Sequence, residues 1–364
     1  MPALKKTKAP VCACRGGLGP GLVARYTWNP QKPKAKPKAK KKPTAKKKPT
    51  PASSEASEES SVSSARVVGG NIVRKPKKDA GKAKKTGKTK KSGKGKKSKR
   101  SKYTAKTADK YELYEKAVQS ADTDIEFLAK LFKRTRKRTA YNFREDFCGT
   151  GLLSSHWIRQ SKKHFAEGFD IDPEPVAWGL ERNFEPLGED AARYTVHLKD
   201  VREKGFVKPD LRIAQNFSYC VFTERAQMLA YFKEVYDSLV DDGVFVMDLH
   251  GGPEATEEME ESRKCGGFTY VWDQDEFWPG TGEYKCHIHF RFPDGTEMNK
   301  AFSYTWRMWY LTELRDILRD AGFERVDSYF EGTDENGEDG NGVFTKGVKG
   351  ENCLSWIAYL AAVK

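Results

Sequence analysis

The stretch R-E-D-F-C-G-T-G-L-L-S-S-H-W, Arg144 to Trp157, decides how the rest of the chain is read. Y-N-F-R-E-D-F before it has the alternation of a short strand, and G-L-L-S-S-H-W-I-R after it has helical spacing. Gly149 and Gly151 therefore stand at a strand-to-helix turn, where backbone N–H groups can approach a ligand. The loop is not a P-loop, because Leu152 and Leu153 follow the last glycine where Lys and Ser or Thr are needed. It matches a dinucleotide loop only in part, since Ser154 holds the place of the third glycine. The acid pair Glu145-Asp146 at the strand end repels a pyrophosphate and suits a ligand bearing a cation.

The pattern outward from this loop repeats. F-A-E-G-F-D-I is a second strand, and Asp172-Pro173 opens a helix, with Pro well placed in the first turn. Y-T-V-H-L-K-D and L-R-I-A-Q-N-F-S-Y are further strands. A helix from Glu224 to Leu239 leads through Asp241-Asp242-Gly243 into V-F-V-M-D-L. Strands separated by helices imply an α/β fold with a mostly parallel sheet covered on both faces. From Phe268 to Trp306 polar and apolar residues alternate between the turn signals P-G-T-G and P-D-G-T. That predicts an inserted meander of about three antiparallel strands, with residues 266–306 as a cap. The helix L-T-E-L-R-D-I-L-R-D-A-G-F and two strands, joined by an acidic Gly-rich loop over 332–342, close the chain.

Charge divides the 364 residues unevenly. Residues 1–102 carry roughly 32 Lys and Arg against roughly 4 acids, about +28, while the remainder is about −13. The tail has almost no large apolar side chains and is expected to be disordered. It suits polyanions through counterion release, or serves as a nuclear or nucleolar address. A plain solubilising role, and a weak organellar reading of Met1 to Trp28, stand beside this. No membrane span or signal-peptide core is visible, and seven scattered cysteines read as reduced thiols. Localisation is therefore expected to be intracellular, nuclear or nucleolar before cytoplasmic or organellar.

Asp170 ends the second strand some twenty residues past the glycines, where an acid can accept two ribose hydroxyls. Asp200 ends the third strand and can accept from an adenine amino group. From roughly Tyr111 to Lys364 the chain resembles the class I S-adenosylmethionine-dependent methyltransferases. Glu145 to Gly151 resembles their first motif, an acid followed by three alternate glycines, with Phe147 at the first glycine. Asp146 can take the acid's place if the register shifts by one. The resemblance implies a seven-stranded sheet with an antiparallel last strand and S-adenosylmethionine as cosubstrate. It implies cofactor contacts from Tyr114, Glu145, Cys148, Gly149, Gly151, Asp170, Asp200, Val201 and Asn216. Tyr111 and Tyr114 are expected to close on the cofactor from the first helix.

Asn216, Ser218 and His250, after the fourth and fifth strands, are the candidate catalytic groups, His250 as general base. Tyr219, Arg307 and Trp309 are candidates for holding the acceptor, under an aromatic lid for a cationic or planar substrate. His287 and His289 point to one face of a strand, but no second ligand pair accompanies them, and no metal is expected. A small molecule or peptide is the expected acceptor. RNA or chromatin recruited by the tail, or a non-catalytic methyltransferase-like module, are the alternatives.

Overall fold

The computed structural model describes residues 103–333 and 340–364. The tail, with every expectation placed on it, lies outside the described residues.

The main sheet is built from β1 (Asn142–Asp146), β2 (Phe165–Asp170), β3 (Tyr194–Leu198), β4 (Leu211–Ala214) and β5 (Val244–Gly251). Three late strands complete it: β10 (Arg325–Thr333), β11 (Gly340–Lys346) and β12 (Trp356–Val363). Their order is β11-β10-β12-β5-β4-β1-β2-β3. β1 to β5 pair in parallel, and β12 is antiparallel to both β5 and β10. Seven strands are the expected ones, with the last one reversed. The eighth, β11, pairs antiparallel with β10 and takes in the end of the stretch read as an acidic loop. Its sequence, G-N-G-V-F-T-K, is too polar to announce a strand, and pairing with β10 supplies the hydrogen bonds instead.

Helices cover both faces. α2 (Ala121–Arg136) and α3 (Leu152–Gln160) lie on one side, where Ile125, Leu128, Phe132 and Trp157 pack on Phe143, Ile213 and Val246. α5 (Arg225–Ser238) and α6 (Leu311–Asp320) lie on the other, with Met228, Phe232, Ile317 and Leu318 against Phe245, Met247 and Leu360. Buried β5 reads V-F-V-M-D-L because both of its faces are covered. β1 is different: Arg144, Glu145 and Asp146 are all buried. Alternation sends Glu145 toward α3 and Asp146 toward α5, where Asp146 meets Arg144 at 2.8 Å, Arg212 at 2.7 Å and the Tyr231 hydroxyl at 2.8 Å.

A second sheet of four antiparallel strands consists of β6 (Met259–Lys264), β7 (Thr269–Trp278), β8 (Glu283–Arg291) and β9 (Glu297–Arg307). The meander read over Phe268 to Trp306 supplies three of these. β6 lies ahead of residue 266, and its exposed M-E-E-S-R-K sequence carries little strand signal. α1 (Lys110–Val118) packs against this sheet, with Leu113 and Ala117 meeting Ile288 and Phe290. Among the described residues no helix is long and apolar enough to cross a membrane.

Candidate active site

The carboxyl ends of the parallel strands meet α1 and the second sheet, and the sequence-nominated cofactor residues collect there. Phe147 itself adopts the left-handed conformation, with φ 55°. Its ring turns away from the loop, centred 6.0 Å from both Phe222 and Tyr231. A left-handed aromatic residue costs about 1–2 kcal/mol, offset here by burial of the ring. The turn thus forms without the first glycine. Gly149 has φ 50°, and a Cβ there would meet no atom within 4 Å, so its approach is open. Gly151, at φ 66°, begins α3, and a Cβ there would stand 2.9 Å from Phe184 and Tyr194. The Cys148 N–H donates to the Phe169 carbonyl at 2.9 Å, tying the loop to β2.

Two acids organise this loop. Glu145 accepts from the Ser154 N–H at 2.9 Å and from its hydroxyl at 2.5 Å. Burial pushes its carboxyl up to about 7. Asp170 accepts from the Gly149 N–H at 2.8 Å and from the Asp172 N–H at 2.9 Å, and burial raises it as well. Since Asp146 is enclosed by two arginines on the far face, Glu145 is the acid on the loop side. At the end of β3, Asp200 is half-exposed and paired with Arg202 at 2.7 Å, which holds its carboxyl below the usual range. Val201 is buried, and its carbonyl accepts from Arg144 and Arg212 at 2.6 and 2.7 Å.

Asn216 and Phe217, after β4, both have φ 58°. Their N–H groups converge on Asp248 of β5 at 2.8 and 3.0 Å. Burial nonetheless pushes the Asp248 carboxyl up to about 7. The Ser218 hydroxyl donates to the Gln215 carbonyl at 3.0 Å, the role of a turn hydroxyl. His250 is half-buried, with Nε2 3.2 Å from the Tyr284 hydroxyl, and burial lowers its imidazole to about 4.

The three nominated acceptor contacts are not brought to the cleft. Tyr219 is buried and donates to the Asp248 carbonyl at 2.7 Å. Trp309 is buried and donates to the Phe222 carbonyl at 3.0 Å. Arg307 stacks on Trp309, with its guanidinium 3.7 Å from the ring centre, and donates to the Thr223 carbonyl at 2.9 Å. Each has an apolar body and a polar tip, and the neighbouring carbonyls satisfy the tips inside the fold.

α1 closes this side of the cleft. Tyr114 lies beside Phe302 at 5.1 Å between ring centres, and burial together with the Asp248 charge raises its phenol. Glu115, one residue on, accepts from the Thr150 hydroxyl at 2.6 Å and from Asn183 at 2.8 Å, clasping helix and loop together. Glu115 was missed by the sequence reading. The available signal was a carboxylate four residues after Tyr111, on a helix face that carries apolar side chains. Among the described residues no group of three or more His, Cys, Asp or Glu is placed to hold a metal.

The raised carboxyls make a pH prediction. Asp248 titrates near 4 unfolded and about 7 folded, so the folded chain keeps a proton that the unfolded chain has released. Its contribution is greatest below about pH 4 and is lost as pH rises to about 7. His250 acts oppositely, disfavouring the fold as pH falls from about 6.5 to about 4. Asp248→Asn is expected to lose less stability than the parent between pH 5 and 7 in denaturant titrations. An identical pH profile for both proteins would contradict the burial of this carboxyl.

No family model and no curated protein sequence matches the chain. Solved structures do. An S-adenosylmethionine-dependent methyltransferase from Clostridium acetobutylicum superposes with TM-score 0.52 at 16% identity, covering 69% of this chain and 96% of that one. CalS10, an amino pentose methyltransferase from Micromonospora echinaspora, gives 0.50 at 15% identity, covering 70% and 97%. The chain has the class I S-adenosylmethionine-dependent methyltransferase fold.

Proposed function

We propose that the protein is an S-adenosylmethionine-dependent methyltransferase. The observation that carries this reading is the bond from the Gly149 N–H to Asp170, which joins the open glycine turn and the second-strand acid into one unit. The donor set fits the cosubstrate, because Asp170 retains lone pairs for ribose hydroxyls and Glu145 supplies an acid near an amine. Cys148, Gly149 and Gly151 present backbone, Asp200 and Val201 border the adenine end, and Asn216 and Tyr114 close the methionine end. S-adenosylmethionine, when bound, supplies a methyl group on an electrophilic sulfonium.

The chain's own residues then align a nucleophile, exclude water and receive a proton. α1 and the second sheet exclude water. Asp248 ionises near neutral pH and is better matched to taking a proton than His250, which stays an uncharged hydrogen-bonding group. Asn216 is held by Asp248, while Ser218 braces the same turn. The acceptor is proposed to be a small molecule or a peptide end. The test is thermal melting of the full chain with S-adenosylmethionine, S-adenosylhomocysteine or NAD. Ligand at about 100 times its dissociation constant adds about 2.7 kcal/mol, so a clear upward shift is expected with the first two only. Stabilisation by NAD alone would overturn the reading.

The charge of residues 1–102 favours a second role, polyanion binding with recruitment of RNA or chromatin. The full chain is expected to bind RNA and duplex DNA alike, with affinity falling steeply between low and moderate salt. A chain lacking residues 1–102 is net acidic and should bind neither. Salt titrations of both proteins check this, and equal binding by the two would place the contact on the folded part.

A further inference from the structure

The second sheet sorts its side chains by face. Cross-strand register sets Tyr270 against Phe290, Trp272 against Ile288, Tyr304 against Cys286 and Trp306 against Tyr284. The opposite face carries His287, His289, Asp273, Lys285 and Ser303. The aromatic face turns toward α1 and the ends of β4 and β5. There Tyr304 stacks on Trp306 at 4.4 Å between ring centres, and Tyr284 reaches His250 at 3.2 Å. The Asp248 carboxylate, two residues before His250 on β5, accepts from the Phe217 N–H at 3.0 Å, and the Phe217 ring lies 4.7 Å from His250 between centres.

Tyr114, Tyr270, Trp272, Tyr304 and His250 are each only half-buried, although they lie between two packed layers. Partly exposed, they present π faces toward the end of β5, where His250 and Asp248 stand. The nearby cations already have partners. Lys110 pairs with Glu174 at 2.9 Å, and Arg263 donates to the Ala117 carbonyl with its guanidinium 5.6 Å from the Tyr270 ring centre. Aromatic faces and a buried acid attract a cation and penalise an anion.

We infer that the gap between this aromatic face and the end of β5 takes an acceptor carrying an aliphatic amine, held as its ammonium against Trp272 and Tyr304 beside Asp248, and turns away acceptors whose reacting end is anionic. The inference rests on the methyl-transfer reading and narrows it. The ammonium first gives its proton to the Asp248 carboxylate. The freed nitrogen lone pair then forms the N–C bond to the methyl group as the C–S bond breaks, and that bond's electron pair stays on sulfur as a thioether.

The test is calorimetric titration of the full chain, first with S-adenosylhomocysteine and then, on the loaded protein, with benzyltrimethylammonium, benzyl alcohol and benzoate. The expected result is cation binding at least about tenfold tighter than the neutral probe, with benzoate weakest. Trp272→Leu should weaken the cation about tenfold and leave S-adenosylhomocysteine within about twofold. Asp248→Asn should narrow the gap between cation and neutral probe. The probe comparison on the unaltered protein stands even if a variant fails to fold. No binding of S-adenosylhomocysteine would sink the methyl-transfer reading itself. Binding of S-adenosylhomocysteine with no preference for the cation, or with benzoate bound as tightly, would overturn the amine assignment alone.

Discussion

Asp146→Asn is expected to lower the stability of the folded part by about 3–5 kcal/mol. The carboxylate is 1% exposed and lies between Arg144 and Arg212, themselves 1% and 0% exposed. Its two oxygens accept from Arg144 Nε at 2.8 Å and Arg212 Nε at 2.7 Å, and Tyr231 adds a third bond at 2.8 Å. The guanidiniums also donate to the Val201 carbonyl, and Arg212 donates to the Ser238 hydroxyl at 2.6 Å. Burial already lowers the Arg144 guanidinium from its usual range, with the Asp146 charge opposing this, and the group lies 3.6 Å from the Phe169 ring centre. Removing the one charge shared by both arginines leaves two cations in a poorly solvated place. A whole domain has only about 5–15 kcal/mol to lose. Urea denaturation followed by circular dichroism is the measurement, and a midpoint close to the parent's would show that Asp146 is not enclosed as described. Replacing Asp146, Arg144 and Arg212 together by Leu or Met should recover much of the loss, because an apolar core of similar volume needs no counter-charge.

Asp170→Ala should raise the dissociation constant for S-adenosylhomocysteine by roughly 30- to 150-fold, about 2–3 kcal/mol. Two losses combine. The proposed acceptors for the ribose hydroxyls disappear, and the Gly149 N–H loses its 2.8 Å partner at φ 50°. The left-handed turn then has one anchor fewer, so the backbone facing the ligand is less well ordered. Calorimetric titration separates this from general damage if urea denaturation shows the fold intact. Binding within about twofold of the parent would mean that the second-strand acid plays no part in holding the ligand.

Much of this was legible beforehand. Strand and helix periods marked β1 to β5 and the helices between them. The short spacing from Gly149 to Asp170 was enough to place both at the carboxyl ends of neighbouring strands. Other features were hidden for a common reason. Whether Glu145 or Asp146 faces the loop depends on which side of β1 α3 packs, and that is set by residues far along the chain such as Ile213 and Val246. Tyr219 and Trp309 read as cleft residues because aromatics near strand ends often are. Their hydroxyl and indole found carbonyls at Asp248 and Phe222, across 29 and 87 residues of sequence. Glu115 meets Thr150 and Asn183 across 35 and 68.

The sequence by itself determined the layered α/β architecture, the place of the glycine turn and the antiparallel insertion, because these follow from side-chain periodicity and local backbone preference. The tertiary structure alone decided that Phe147 turns its ring away from the loop, that burial raises the Asp248 carboxyl and lowers the His250 imidazole, and that β11 joins the sheet. Each of these depends on burial and on partners brought together by folding, and neither quantity exists in an extended chain.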